Sequence, residues 1–328
     1  MLLDKIKNPL KYHLSNLLFV WLAILAYRYV PYYSNFLNTV TQQILLSMAI
    51  VYTLAFPIYL FLKTPSKGYL ALIALKKWAK KIIGVHDEGP NLEKSEKTAL
   101  LFILVKFFFL PVMINFLLNN YSTLKAYPLK NIAASQDYFL YSFYPFALAL
   151  FFFIDTLWFV FGYTFEARFL KSKVRSVEPT FFGWFVALIC YPPFNSVLNS
   201  FTGWYPNDYI ELSHPLSTII LRISILASIG VYTWATLALG TKCSNLTNRG
   251  IVSRGPYAFI RHPAYFFKNL AWWLTVIPAM NVYAFASLSV WTIIYYFRAV
   301  TEEKHLIADP DYQDYCKRVQ YKFIPYIW

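Results

Sequence analysis

The chain has 328 residues, of which 58% are hydrophobic, 20% aromatic and only 14% charged, with a formal net charge of +14. A soluble domain of this length needs far more charge to cover its surface, and the apolar residues here lie in long blocks, so the class is an integral membrane protein. No RNA- or DNA-binding motif accompanies the basic excess, which therefore excludes a nucleic-acid partner and reads as cations in cytoplasmic loops.

The first predicted span, residues 14–30, follows a basic start at Lys5, Lys7 and Lys11 and lacks a small-residue cleavage site, so it reads as a retained helix. A second span covers residues 44–62. The longest polar stretch, residues 63–97, contains a segment of helical period over residues 69–85. Leu72, Leu75, Trp78, Ala79, Ile82 and Ile83 fall on one face of it, and Lys76, Lys77, Lys80 and Lys81 on the other. That pattern suits a helix lying on an anionic membrane surface, with docking of a partner as the rival reading. Further spans are predicted over 98–118, 138–165, 181–199, 216–240, 264–278 and 282–300. The fifth is interrupted by Pro192-Pro193, where lost backbone donors call for a break or kink. The expected architecture is all-α: a polytopic membrane helix bundle of about eight transmembrane helices with both termini cytoplasmic. Its two regions are residues 1–136, with the basic amphipathic helix, and residues 137–328.

Charge asymmetry supports this arrangement. The segments assigned to the inside hold most of the Lys and Arg, whereas the outer loops hold only Lys125 and Lys130, with Arg28 near the outer end of the first span. The outer loop over residues 201–215 carries Asp208 and Glu211 with no cation. Cys190, Cys243 and Cys316 have neither paired nor metal-like spacing, so no disulfide framework and no metal centre is expected.

Three sets of residues can carry chemistry. The first is the run from Arg254 to Tyr265, in which Gly255, Tyr257, Arg261, His262, Pro263 and Tyr265 precede the seventh span. Pro263 suits the first turn of a helix, and His262 and Arg261 beside it can bind an anionic or heteroaromatic ligand at the helix start. The competing reading is a membrane-interface loop with anchoring aromatics. His214-Pro215 repeats the helix-start pattern without the Arg and Tyr, on the outer side, and reads as structural. The second set is Glu302-Glu303, two acids at a helix C-terminus that oppose the macrodipole and call for a cation, either Arg298 or a bound ammonium. The third set is Lys106, Asp155, Arg222, Lys268 and Arg298, ionisable groups within the spans. Asp155 is a candidate to pair with Arg222 or Lys106, and Lys268 either faces a pocket or snorkels to the interface. A helical hairpin returns the chain to the side it left, so the loop before the seventh span and Glu302-Glu303 are expected to meet at one membrane surface.

The ordered set Gly255-x-Tyr257-x-x-x-Arg261-His262-Pro263-x-Tyr265, an apolar hairpin, Arg298-x-x-Thr301-Glu302-Glu303, and the later Tyr312-x-x-Tyr315-x-x-x-Val319 and Phe323-Ile324-Pro325 resembles the isoprenylcysteine carboxyl methyltransferases. The wider group includes membrane phospholipid N-methyltransferases. The resemblance covers residues 246–325, about a quarter of the chain. It implies a five-helix methyltransferase core in residues 137–328, an S-adenosylmethionine cofactor at the cytoplasmic end of the hairpin, and a lipophilic, prenylcysteine-like or lipid acceptor entering from the bilayer. Carried over, the resemblance gives Gly255, Tyr257, His262, Pro263 and Tyr265 to the adenosine side of the cofactor. Glu302 and Glu303 go to its ammonium, and Arg298 and Arg261 to a carboxylate of cofactor or substrate. A carboxylate acceptor would need no base; for an amine or thiol, Glu303 or His262 would take the proton. One departure is Phe267, where the family carries a small residue. The N-terminal spans lie outside the compact family core and are expected to form a substrate vestibule or a partner surface.

Two other readings remain. The tail from Tyr315 to Trp328 also resembles the end of the membrane sterol reductases, which bind NADPH; the adjacent acids Glu302 and Glu303 argue against a dinucleotide's phosphates. A channel, transporter or scaffold is disfavoured because the polar residues collect at one surface and do not line a path through the bilayer.

Overall fold

The structure, a computed structural model, describes residues 2–59, 65–83, 91–127, 136–167, 169–206 and 210–324. Lys63, Val85, Lys130, Asp208 and the tail from Pro325 to Trp328, used in the sequence readings above, lie outside the described residues. The regular structure of the described chain is helical apart from one short antiparallel pair, and the chain divides into two compact units, Met1–Asn115 and Phe116–Trp328.

In the first unit, α1 (Leu2–Tyr29) packs against α2 (Thr39–Leu54) and α3 (Lys67–Ile82), and α4 (Lys94–Ala126) begins within it. Asn38 and Ser66 cap α2 and α3 by accepting from Thr41 N and Tyr69 N, which satisfies donors that a helix start leaves open. α3 is the helix expected from the period of residues 69–85. It meets its neighbours through small residues: Gly68, Ala71 and Ala74 are buried, and a Cβ at Gly68 would collide with Asn16. Leu75, Trp78 and Ile82 stay exposed. Lys77 does not project freely from the polar face: its Nζ lies 2.8 Å from both carboxylate oxygens of the buried Glu96. Asn115 takes the backbone N–H of Asn38 at 2.9 Å and the Thr41 hydroxyl at 2.9 Å.

The second unit holds the end of α4 and a run of helices that position the site. α5 (Tyr144–Thr164) and α8 (Pro215–Leu239) pack side by side, and α8 also packs along α9 (Pro263–Val276). α9 packs on α10 (Val282–Leu306), and α10 meets α6 (Phe181–Leu188) and α7 (Phe194–Thr202). Pro215 and Pro263 stand at helix starts, where a missing N–H is harmless, and Asn281 caps α10 by accepting from Tyr283 N and Ala284 N. The chain ends in α11 (Pro310–Arg318), capped by Asp309.

Among the described residues four helices are long and apolar enough to cross a membrane: Asn8–Tyr29, Lys94–Ala126, Phe139–Thr164 and Pro215–Lys242. The other expected spans take different forms. Thr39–Leu54 is apolar but has 16 residues, and Pro263–Val276 has 14, a rise of roughly 21–24 Å against a hydrocarbon core of about 30 Å. The segment over 181–199 breaks at Pro192-Pro193 into α6 and α7, as expected of two consecutive prolines. α10 has the length, at 25 residues, but ends in Glu302, Glu303, Lys304 and His305.

The interior ionisable groups pair differently from the sequence expectation. Asp155 meets neither Arg222 nor Lys106: Tyr232 OH donates to its Oδ2 at 2.7 Å and Thr236 Oγ1 to its Oδ1 at 2.6 Å, which ties α5 to α8. The hydroxyls stand one helical turn apart on α8, so both reach one carboxyl, a geometry that residue types alone do not reveal. Arg222 instead donates to Ile210 O at 2.9 Å and lies over the Tyr144 ring. Replacing Tyr232 by Phe or Thr236 by Val should each cost roughly 1–3 kcal/mol, the range for a lost hydrogen bond to a buried polar group. The check is the thermal midpoint of the purified protein in detergent. Unchanged midpoints in both variants would show that Asp155 does not join the two helices.

Candidate active site

The loop before α9 is shaped by its glycine and its prolines. Gly255 takes φ +61, and a Cβ there would lie 3.2 Å from Ala238 Cβ and 3.3 Å from Trp234 Nε1, so the loop presses against α8 at a point only glycine fits without strain. The chain then pairs with the C-terminal segment: Arg261 N donates to Tyr321 O and His262 N to Lys322 O, each at 2.9 Å. These bonds fix the backbone from which Arg261 and His262 project, and Pro263 starts α9 immediately afterwards.

The helical hairpin brings the two sequence clusters together, as expected. Glu303, near the end of α10, receives three cationic or imidazole partners: Arg261 Nε at 3.1 Å and His262 Nε2 at 3.2 Å on Oε1, and Lys322 Nζ at 2.9 Å on Oε2. Burial alone would raise its pKa, but the bonds from His262 and Lys322 and the nearby charges of His262 and Arg261 bring the carboxyl down to about 2. Glu302, one residue earlier, points elsewhere. It accepts from Tyr265 OH at 2.8 Å, and among the described residues no cation pairs with it, Arg298 included. The His262 and Tyr265 rings stack with centroids 5.6 Å apart and planes 4° from parallel, which links the two carboxylate environments.

Arg298 is buried one turn deeper. Its guanidinium lies 5.1 Å from the Tyr265 ring centroid and 5.2 Å from that of Tyr295, and its Nη2 donates to Asn245 Oδ1 at 3.0 Å. Asn245 is fully engaged: its backbone N–H donates to Tyr163 OH at 2.8 Å and its Nδ2 to Tyr191 OH at 3.0 Å. Nothing in residue spacing marks Asn245. It matters because a Cβ at Gly162 on α5 would strike the Cys243 carbonyl, a close approach that carries the following turn into the bundle. Leu246 sits at φ +61, a left-handed backbone unusual for a non-glycine residue, and its carbonyl is held by Glu178 N at 2.8 Å. That bond continues the antiparallel pairing of β1 (Ser176–Val177) with β2 (Thr247–Asn248).

Between these elements lies a narrow cleft of about 50 Å³. Tyr265, Arg298, Glu302, Asn245, Glu178 and His305 contribute to its wall. Burial holds the His305 imidazole below its usual pKa against the pull of Glu178 and Glu302, and Ser176 Oγ lies 2.8 Å from its Nε2. Of the sequence-derived candidates, Tyr265, Arg298 and Glu302 line this opening. Arg261, His262 and Glu303 form the adjoining junction. Gly255 and Pro263 shape the loop, and Tyr257 packs in a cluster with Tyr312, Tyr315 and Val319, its carbonyl accepting from Tyr315 OH at 2.7 Å. Asn245, Glu178, His305 and Lys322 are the residues that sequence reasoning missed. Lys268 does not snorkel freely: its ammonium stands 5.4 Å from the Tyr232 and Trp272 ring centroids and 5.9 Å from that of Tyr295.

Because the Glu303 pKa is depressed, its stabilising pairs are present in full above the ordinary carboxylate range, and the contribution is lost as pH falls through about 2. Glu303→Gln should lower stability at neutral pH by on the order of 2 kcal/mol and flatten the acid limb between about pH 4.5 and 2. Thermal midpoints of both proteins across that range provide the check. Parallel curves would remove Glu303 from the junction.

Residues 212–309 match a family model described as phospholipid methyltransferase. No curated protein and no solved structure matches the chain. The matched stretch contains α8, α9, α10 and the candidate residues from Gly255 to Glu303, whereas Lys106 and Asp155 lie outside it. Over those residues the segment that holds the candidate site is similar to the phospholipid methyltransferases.

Proposed function

We propose that this protein is an S-adenosylmethionine-dependent methyltransferase acting on a lipophilic, prenylcysteine-like or lipid acceptor at the cytoplasmic membrane face. The observation that carries the reading is Glu302: a carboxylate without a cationic partner among the described residues, on the wall of an opening that also presents Arg298 and an aromatic ring. A ligand bearing an ammonium, a carboxylate and a flat heteroaromatic group satisfies all three. The family match over residues 212–309 supports the same class of chemistry. Within this proposal residues 137–328 are the methyltransferase core and residues 1–136 a separate N-terminal region. About eight segments cross or enter the membrane, and the positive-inside bias puts both termini and the site in the cytoplasm.

S-adenosylmethionine, when bound, supplies a methyl group on a sulfonium, an electrophile that needs no activation by the protein. What remains for the chain is binding, orientation and exclusion of water. Glu302 holds the ammonium, and Tyr265 fixes the Glu302 carboxylate by its 2.8 Å hydrogen bond. Arg298, anchored to Asn245, receives a carboxylate of cofactor or acceptor. Arg261, His262 and Glu303 hold the loop that leads into α9 and its Tyr265, and cover the adenosine side together with Gly255, Tyr257 and Pro263. Glu303, kept ionised down to about pH 2, is a poor proton acceptor, so its part is to position His262 and Arg261. That favours an acceptor that arrives as an anion.

The NADPH-dependent reductase reading loses ground on the same observation, because an unpaired Glu302 repels phosphates. The test is thermal stability of the purified full-length protein with S-adenosylhomocysteine or NADPH. Saturation at about 100 times the dissociation constant should stabilise the wild type by about 2.7 kcal/mol with S-adenosylhomocysteine. Glu302→Gln should weaken that response by about tenfold or more, and methyl-labelled S-adenosylmethionine should label a lipid-extractable product in membranes. Stabilisation by NADPH alone, or by neither, would overturn the proposal.

A further inference from the structure

A second opening in the Phe116–Trp328 unit, of about 470 Å³, shares no lining residue with the cleft at Glu302. One side is apolar and comes from the last turns of the two long helices α5 and α8: Trp158, Leu237 and Leu239. The other side is cationic: Lys171, Lys242 and Arg254 line it, and among the described residues no Asp or Glu does.

Two of these cations, Lys242 and Arg254, are held in place by backbone. Lys242 Nζ donates to Ile251 O at 3.2 Å and Arg254 Nε to Ala238 O at 3.2 Å, which uses one donor of each. Among the described residues no carboxylate pairs with Lys171, Lys242 or Arg254. A fourth cation, Arg175, approaches from behind but is already neutralised by Asp309 at 2.8 Å and by Asp311. Gly250, at φ +93, lets it come close: a Cβ there would stand 3.2 Å from both Arg175 Nη2 and Lys242 Nζ. Placing like charges together beside an apolar wall is unfavourable unless an anion joins them.

We infer that this opening is a binding site for a phosphate group, held by Lys171, Lys242 and Arg254 and distinct from the candidate active site. The cations meet the phosphate oxygens by charge-assisted hydrogen bonds. The apolar wall at the ends of α5 and α8 accommodates acyl chain, so a phospholipid satisfies both halves; a soluble phosphate satisfies only the cationic half.

The experiment measures thermal midpoints of the purified full-length protein in nonionic detergent against three probes: dioctanoyl phosphatidic acid, dioctanoylglycerol and inorganic phosphate. Phosphatidic acid should stabilise the wild type and dioctanoylglycerol should not. In Lys242→Gln/Arg254→Gln the half-saturating concentration should rise at least about tenfold, as expected for loss of charge-assisted bonds. Lys242→Arg/Arg254→Lys should retain binding. If the double variant does not fold, Lys171→Gln replaces it, because that side chain is exposed. Equal stabilisation by inorganic phosphate with the same dependence on the cations would support the phosphate site and assign a soluble source. An equal response to dioctanoylglycerol, or a half-saturation unchanged in the neutralised variants, would overturn the inference.

Discussion

The junction at Glu303 is the constraint on which the candidate site rests. One carboxylate at the end of α10 collects Arg261 and His262 from the loop before α9 and Lys322 from the C-terminal segment. Three stretches distant in sequence are thereby held at one point. Two carboxylates at a helix C-terminus oppose the macrodipole, and this junction offsets one of them with full ionic pairing. The other, Glu302, is left to face the opening with a tyrosine hydroxyl as its one side-chain partner among the described residues. Adjacent residues of the same type thus carry opposite duties, because successive side chains on a helix point about 100° apart.

Below the junction the interior is polar in an ordered way. Asp155 is bonded to Tyr232 and Thr236, Lys268 stands among Tyr232, Trp272 and Tyr295, and Arg298 shares Tyr295 before reaching Asn245. Tyrosines separate the charged groups throughout. An aromatic ring attracts a cation by its face and offers a hydroxyl at its edge, so it lets ionisable groups sit inside an apolar bundle without direct ion pairs. The turn at 243–248 gains its place from the same economy of space, since Gly162 admits the Cys243 carbonyl.

The two openings of this unit differ in sign. The first joins an unpaired carboxylate to a buried guanidinium; the second has cations alone beside an apolar wall. The first suits a zwitterion, the second an anion. A phosphate at the second would stay clear of Glu302, whose charge would repel it.

Much was legible in the sequence because it depends on composition and local periodicity. Long apolar blocks require a membrane, consecutive prolines break a helix, and a hairpin returns its ends to one side. These determined the helical class, the break at Pro192-Pro193 and the meeting of His262 with Glu303. The resemblance carried by Arg261-His262-Pro263-x-Tyr265 and Thr301-Glu302-Glu303 agrees with the family match over residues 212–309. The tertiary structure alone decided which partner each polar group takes. Asp155 turns to hydroxyls and not to Arg222 or Lys106, Glu303 is closed by Lys322, and Asn245 becomes the anchor of Arg298. Those choices follow from distances between helices and from side-chain direction, quantities of a few ångströms that residue order does not encode locally.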